Sequence, residues 1–422
     1  MTLKGKILAG LLCAMAVLPG GAEARHHGEK QEQTVVHTER ADRERDWRQS
    51  VILKKSLERE NRKEEERKMA KPAAKTRTMR KWEVTSRDTG GTLLFSDSPE
   101  YVDRPGILYQ DTVNGKARVL YYHLNNTQVP QKVAVVLENA NPQEKATMVQ
   151  VTRGGTAWPS DDYLWVGKTT QNQYFSEKKN DLILVMRDKK RLLQASMDEI
   201  VLQPGQLVYG VYDFKTDHPV KASVLMYPAN VNPLTFIERA KVLPRDEVAL
   251  RGTFQGMDRE ITSGREYDPQ QDGIVYVMLA DDQSDKYMIG VDATDGHRAV
   301  NYGNYGVLYK IAIPVKGETS RVQYYLSPLG GTYAGAMTVR RDHSPYTKRI
   351  ETPAGRVFFG DQTAPEPEQV SQARADGIAI FGSNMELADL GSYDNSVPTY
   401  FEFSPPGASN LPACLILVPD GE

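Results

Sequence analysis

Val119-Leu-Tyr-Tyr-His-Leu-Asn-Asn-Thr-Gln-Val-Pro-Gln-Lys-Val-Ala-Val-Val-Leu137, continued by Glu138-Asn-Ala-Asn-Pro142 and Ala146-Thr-Met-Val-Gln-Val151, is the stretch on which the reading of this chain turns. Its three β-rich runs, parted by Asn and Pro, predict consecutive antiparallel strands. Upstream, Val113-Asn-Gly-Lys116 carries the Asn-Gly hairpin signal and leads straight into the first run. Downstream, Asp181–Met186, Glu199–Tyr212 and Pro219–Tyr227 read as further strands, giving eight or nine between residues 83 and 243. One helix is expected among them, Ser160–Phe175, with Ser160 as N-cap, Asp161 and Asp162 near the N-terminal dipole, and Tyr163, Val166, Thr170 and Tyr174 on one face.

A similar arrangement returns after Leu243-Pro-Arg-Asp246. Val307-Leu-Tyr matches Val119-Leu-Tyr, and Ala336–Val339 matches Ala146–Val151, which suggests a duplicated unit. Ile274–Leu279 and Tyr287–Val291 flank Ala280–Lys286, which reads as a polar hairpin, and Thr363–Glu368 reads as a loop. The expected fold is therefore mainly β: two antiparallel β-sandwich domains, 83–243 and 244–422, preceded by a charged N-terminal helix. A length of 422 residues accommodates this comfortably.

Residues 1–24 have the parts of a secretory signal peptide: Lys4 and Lys6, an apolar run from Ile7 to Pro19, and Ala22-Glu23-Ala24 as a cleavage site. The apolar run is too short to span a bilayer. An uncleaved interfacial anchor and a lipid-bearing Cys13 are the alternatives, although Gly10-Leu11-Leu12 lacks a small residue beside the thiol. After cleavage only Cys414 remains, in an apolar strand where a thiol is buried and inert.

Residues 25–82 form a charged arm and basic linker. The segment holds 18 basic against 11 acidic residues, a net of +7, whereas residues 83–422 hold 33 against 43, a net of −10. Acid-first pairs at spacing four, such as Glu39/Arg43 and Glu64/Lys68, favour a solvated helix. Its short apolar stripe around Trp47, Val51 and Leu57 is not a sustained coiled-coil heptad pattern. The arm is either a spacer or a contact for an anionic envelope polymer or lipid, and the two differ in salt sensitivity. Nucleic acid is not an expected partner of an exported chain.

Val135-Val-Leu-Glu-Asn-Ala-Asn-Pro142 and Leu202-Gln-Pro-Gly-Gln206 resemble the pattern of secreted bacterial immunoglobulin-like modules, where an Asn ends one strand and a Leu-x-Pro-Gly turn opens another. The resemblance covers about a third of residues 83–243. It implies a β-sandwich with an extracellular binding or structural role, and brings no catalytic residues with it.

The candidate ligand-binding residues are Trp158, Asp161, Asp162, Tyr163 and Trp165, because aromatic faces beside carboxylates suit a pyranose. The competing reading is that Tyr163 and Trp165 dock the helix. No metal or cofactor is expected. The seven histidines are scattered, and Asp281, Asp282 and Asp285, or Asp292, Asp295 and His297, lack the alternation of a calcium loop. No nucleophile elbow or phosphate loop occurs. The expected function is a non-catalytic exported envelope component, for adhesion, scaffolding or glycan binding, with self-association as a further option. The alternative is a hydrolase of envelope polysaccharide whose paired carboxylates meet only in space.

Overall fold

The computed structural model describes residues 79–420 apart from 177, 247–249, 318, 343, 345, 361–370, 372, 374, 376 and 382–384, with backbone alone at 378–381 and 385. The leader, the helical arm and the loop Thr363–Glu368 lie outside the described residues. The described chain is mainly β, with four sheets.

Sheet I has nine strands. Along its width run Arg298–Asn301, Met288–Val291, Arg251–Gln255, Thr92–Ser96, Lys116–Asn125, Leu207–Thr216, Ala146–Thr156 and Lys178–Met186, with Tyr101–Val102 also on Lys116–Asn125. Sheet II orders Arg191–Leu192, Gln131–Asn139, Val220–Pro228 and Gly106–Val113. Sheet III orders Thr85–Thr89, Asp258–Thr262, Leu308–Ile311, Thr399–Phe403, Gly335–Arg341 and Thr347–Thr352. Sheet IV orders Met79–Lys81, Ile274–Leu279, Ala413–Pro419, Arg321–Pro328, Met385–Asp394 and Ile378–Phe381.

One connectivity occurs twice. In sheet I, Thr92–Ser96 runs parallel to Lys116–Asn125, and Leu207–Thr216, Ala146–Thr156 and Lys178–Met186 follow antiparallel. In sheet III, Asp258–Thr262 runs parallel to Leu308–Ile311, and Thr399–Phe403, Gly335–Arg341 and Thr347–Thr352 follow antiparallel. Val220–Pro228 lies antiparallel between two strands of sheet II as Ala413–Pro419 does in sheet IV. The matched segments at Val119 and Val307, and at Ala146 and Ala336, fall at equivalent places.

The two copies exchange a strand. Thr85–Thr89 precedes Thr92–Ser96 in the chain but pairs with Asp258–Thr262. Arg251–Gln255 precedes Asp258–Thr262 but pairs with Thr92–Ser96. The crossing is tight: the N–H groups of Gly256 and Met257 both donate to the Gly91 carbonyl at 2.9 Å. A Cβ on Gly91 would sit 1.7 Å from the Lys116 carbonyl oxygen, so only glycine fits. The boundary expected at 243/244 therefore separates two copies of one connectivity without separating their sheets.

The central strands of sheet I are buried on both faces. Leu94, Val119, Tyr121, Val208 and Tyr212 face a core shared with sheet II, whereas Leu93, Phe95, Leu120, Tyr209 and Val211 face a core shared with sheets III and IV. Strands buried on both faces read as unbroken apolar runs, which is why Val119-Leu-Tyr-Tyr does not alternate.

Double burial corrects three expectations. The runs at Val119, Val133 and Ala146 are strands but not neighbours, because the middle one belongs to sheet II. Asn114-Gly115 is a tight turn, with Gly115 at φ +83, yet it is a corner between sheets II and I. Ala280–Lys286 likewise joins sheet IV to sheet I instead of closing a hairpin.

The helix spans Tyr163–Ser176 and is capped by Asp162, not Ser160: the Asp162 carboxylate accepts from the Trp165 N–H at 3.0 Å. Ser160 Oγ instead accepts from the Asp162 N–H at 3.1 Å. Of the expected face Val166, Thr170 and Tyr174 are buried and Tyr163 half-buried, and Gly167, Lys168, Gln171 and Phe175 are buried as well. Gly167 abuts the loop after Phe403, where a Cβ would lie 2.2 Å from the Gly407 carbonyl oxygen.

Candidate functional site

The predicted platform is split between surface and structure. Trp158 is 65% exposed and Trp165 38% exposed. Tyr163 is half-buried against the core. Asp161 and Asp162 are exposed, and Asp162 spends an oxygen as the helix cap. Its neighbour Asp161 accepts from Ser160 Oγ at 3.4 Å. Together they form the entry turn of a helix with two indoles outside.

The strongest polar constellations were not predicted. Arg118 is 1% exposed, on a strand of sheet I, and all five of its N–H groups are matched. Nε donates to Asp213 Oδ1 at 2.6 Å and Nη2 to Asp213 Oδ2 at 2.9 Å and Asp258 Oδ1 at 3.1 Å. Nη1 donates to the carbonyls of Met257 at 2.5 Å and Gly306 at 3.0 Å. Tyr174 of the helix adds a bond to Asp213 at 3.0 Å, and Lys310 one to Asp258 at 2.6 Å. The network ties sheet I, the helix and sheet III together at the strand exchange.

Arg251 and Arg259 make comparable nodes. Arg251 Nε donates to Asp292 Oδ2 at 2.6 Å, and Arg259 Nη1 to Asp285 Oδ1 at 2.6 Å. Asp285 also accepts from the Tyr309 hydroxyl at 2.6 Å and the Ala280 N–H at 2.6 Å. The acids weighed as calcium ligands are thus partners of buried guanidinium groups and backbone. Among the described residues no cluster of metal-ligating side chains occurs.

His123 is fully buried, with Nε2 2.9 Å from Ser96 Oγ and Nδ1 2.9 Å from the Pro99 carbonyl. A carbonyl can only accept, so Nδ1 carries the proton and Nε2 accepts from Ser96. Burial first, and Arg251 nearby, push its pKa down to about 4. The pair resembles a nucleophile and base, but both side chains have no exposed surface and their bonds join sheet I to the turn after it. Cys414 is fully buried with its thiol pKa raised by desolvation.

Two cavities stand out among the described residues. One of about 340 Å³ opens between sheets III and IV, lined by Tyr324, Tyr393 and Tyr400 with Glu266, Asp394, Asn395, Thr262 and Thr399. Tyr324 and Tyr393 have ring centroids 6.1 Å apart at 48°, so their faces are not coplanar. Arg341 binds Asp394 through both oxygens at 2.8 and 3.0 Å. These bonds and that from Ser396 hold the Asp394 carboxyl well below the usual carboxylate range. Arg340 covers one side of Tyr400 at 4.5 Å.

The second cavity, of about 140 Å³, lies on the sheet III side of sheet I. Its walls are Phe95, Tyr122, Tyr209 and Tyr305, the carboxylate residues Asp97 and Glu100, and the loop Gly407–Asn410. In that loop Gly407 and Ser409 are buried and Ala408 and Asn410 half-buried.

Residues of each cavity come from segments more than a hundred positions apart, so spacing could not reveal them. The one legible signal was Arg118, a charge in phase with Leu120 and Tyr122 on a β-strand.

No protein-family model matches this chain, and no curated protein matches it. Among solved structures, that of PNGF-II overlaps 80% of this chain at 9% identity with a TM-score of 0.13, and the chain spans 65% of its length. The 11S allergen from Cocos nucifera overlaps 76% of this chain and 90% of its own at 9% identity, with a TM-score of 0.12. The 11S globulin from Wrightia tinctoria overlaps 80% and 84% at 8% identity, with a TM-score of 0.09. Similarities this low carry no argument about fold or function.

Proposed function

We propose that this chain is a non-catalytic exported component of the cell envelope that binds glycan, built as a tandem pair of immunoglobulin-like β-sandwiches behind a charged arm. The observation that carries the reading is the cavity of about 340 Å³ between sheets III and IV. Tyr393 and Tyr400 offer apolar ring surface for a sugar face over the buried Tyr324, and Glu266, Asp394, Asn395, Thr262 and Thr399 offer groups that pair with hydroxyls.

Binding suits this cavity better than hydrolysis. A glycosidase needs one carboxyl held protonated and a second free to act as base or nucleophile. Asp394 is depressed by its bonds to Arg341 and Ser396 and is therefore a weak base. The basic arm, net +7, supplies a second, salt-sensitive attachment to anionic polymer. Self-association through the open edge Lys178–Met186, with Leu182 and Leu184 outward, is a compatible addition.

The test is retention of the full chain on insoluble cell-wall polysaccharide, compared with Tyr393→Ala and Tyr400→Ala. Wild-type protein is retained, and each variant loses at least tenfold in apparent affinity with an unchanged unfolding midpoint. Absence of retention sinks the proposal, and release of reducing sugar from the wall material replaces it with the hydrolase.

A further inference from the structure

Beyond the end of the helix, the side of sheet I that faces sheet III is open to solvent, and strand register fixes what it displays. Lys116 lies opposite Lys215, Lys215 opposite Gln150 and Gln150 opposite Leu182, so these four make one row across four strands. The next rows set Met148 opposite Leu184 and Ala146 opposite Met186. Lys178 joins the same side opposite Arg153, whose guanidinium sits 5.1 Å from the Tyr174 ring of the helix. Met148, Leu182, Leu184 and Met186 are between 36 and 63% exposed, and Lys116, Lys178 and Lys215 are exposed beside them. Val149, Val151 and Val185 on the opposite side fill the core shared with sheet II, so the fold does not need apolar side chains on the outward one.

The charge on this face is not balanced internally. Lys116, Lys178 and Lys215 have no ion pair or hydrogen bond among the described residues. Asp213 is taken by Arg118 and Tyr174, Glu402 by Arg153 at 3.2 Å, and Asp217 turns an oxygen to the Met148 N–H at 2.8 Å. At the rim Lys145, Arg187 and Lys189 offset Glu144, Asp188 and Asp217 in formal charge. Lysines often guard an edge strand against aggregation, but Lys215 and Lys116 stand two and three strands in from the edge. Like charges directly opposite on neighbouring strands repel, and an anion between Lys116 and Lys215 removes that repulsion.

We infer that this face docks on a lipid surface bearing anionic headgroups. Leu182, Leu184, Met186 and Met148 enter the boundary of the acyl chains, and Lys116, Lys178 and Lys215 meet the phosphates. A contiguous exposed apolar patch marks a protein or a membrane contact, and the lysines decide between them. A soluble polyanion matches the lysines and leaves four apolar side chains wet. A second copy covers the apolar side chains and adds three more unpaired lysines. A lipid interface offers hydrocarbon and phosphate in adjacent layers, as the face does. The inference is independent of the sugar cavity between sheets III and IV.

The test is co-sedimentation of the full chain with vesicles of phosphatidylglycerol and phosphatidylcholine, against phosphatidylcholine alone and against soluble dextran sulfate. Wild-type protein partitions onto the anionic vesicles. A lysine at an anionic surface is worth about fivefold, so Lys116→Gln with Lys215→Gln weakens partitioning at least about tenfold. Leu182→Thr with Leu184→Thr keeps β propensity on an exposed strand. It weakens vesicle binding about tenfold through lost apolar burial and leaves any binding of dextran sulfate unchanged. Unfolding midpoints close to that of the wild type show that both variants are folded. Absence of partitioning overturns the inference. Vesicle binding that either double variant leaves unchanged also overturns it, since the basic arm then carries the attachment. A concentration-dependent dimer that the leucine variant abolishes, in protein that ignores vesicles, overturns it in favour of a second copy.

Discussion

Replacing Arg118 by methionine removes one guanidinium from the strand exchange and leaves four oxygen-bearing groups to find other partners. Asp213 keeps only the Tyr174 hydroxyl at 3.0 Å, and Asp258 keeps Lys310 at 2.6 Å. The carbonyls of Met257 and Gly306 lose the donor they share, and Met257 keeps the Leu308 N–H at 3.1 Å. Methionine roughly preserves the apolar stem, so the cost comes from the stranded charge. Breaking a buried pair of this kind costs about 3–5 kcal/mol. Asp213→Asn alone costs a comparable amount, since it strips Arg118 of its two-point partner.

The double variant separates pairing from packing. If the pair acts as a unit, Arg118→Met with Asp213→Asn costs less than the two single changes added, by at least about 2 kcal/mol. Urea unfolding followed by tyrosine and tryptophan fluorescence gives all four corners of the cycle. A single-variant cost below about 1 kcal/mol, or strict additivity, would refute the assignment of Arg118 as the link between the copies.

Three further outcomes follow from other parts of the fold. His123 has a folded pKa of about 4 against an unfolded value near 6.5, so its contribution is complete above pH ~6.5 and is lost as pH falls toward 4. The loss amounts to about 3 kcal/mol; His123→Gln flattens the urea midpoint across that window, and an unchanged slope contradicts the assignment. Gly167→Ala should gain about 1 kcal/mol from helix propensity alone, yet its Cβ would meet the Gly407 carbonyl at 2.2 Å. Overpacking of about 1–3 kcal/mol wins, so the thermal midpoint falls, and a rise shows the loop yields freely. A fragment of residues 79–243 lacks Arg251–Gln255 beside Thr92–Ser96 and unfolds without a cooperative transition, whereas one folding as sharply as the whole chain would show the exchange to be dispensable.

Much of the strand content was legible because Val, Ile, Tyr and Leu runs bounded by Asn, Gly and Pro are a local signal. Val119–Leu124, Val133–Leu137 and Asp181–Met186 all lie within strands. Sheet membership was not legible, since period-two alternation names the buried face only when the other is wet. Leu94 and Phe95 enter different cores, and nothing local distinguishes them. The helix face was legible at Val166, Thr170 and Tyr174, but both Ser160 and Asp162 are good caps, and the geometry of the preceding turn chose between them. Of the candidate site, Trp158 and Trp165 are exposed and Tyr163 is half-buried against the core. The cavities depend on contacts between residues as distant as Phe95 and Asn410, which no window can join.

The exchanged strands also set a timetable for synthesis. Thr92–Ser96 leaves the ribosome about 160 residues before the segment Arg251–Gln255 that flanks it, and at about 5–20 residues per second the wait is on the order of 10–30 s. Throughout that interval the nascent amino-terminal half carries an uncovered ladder of amides, a template for aggregation. A holdase that caps bare strand margins is therefore the kind of helper this polypeptide needs before its second half has emerged.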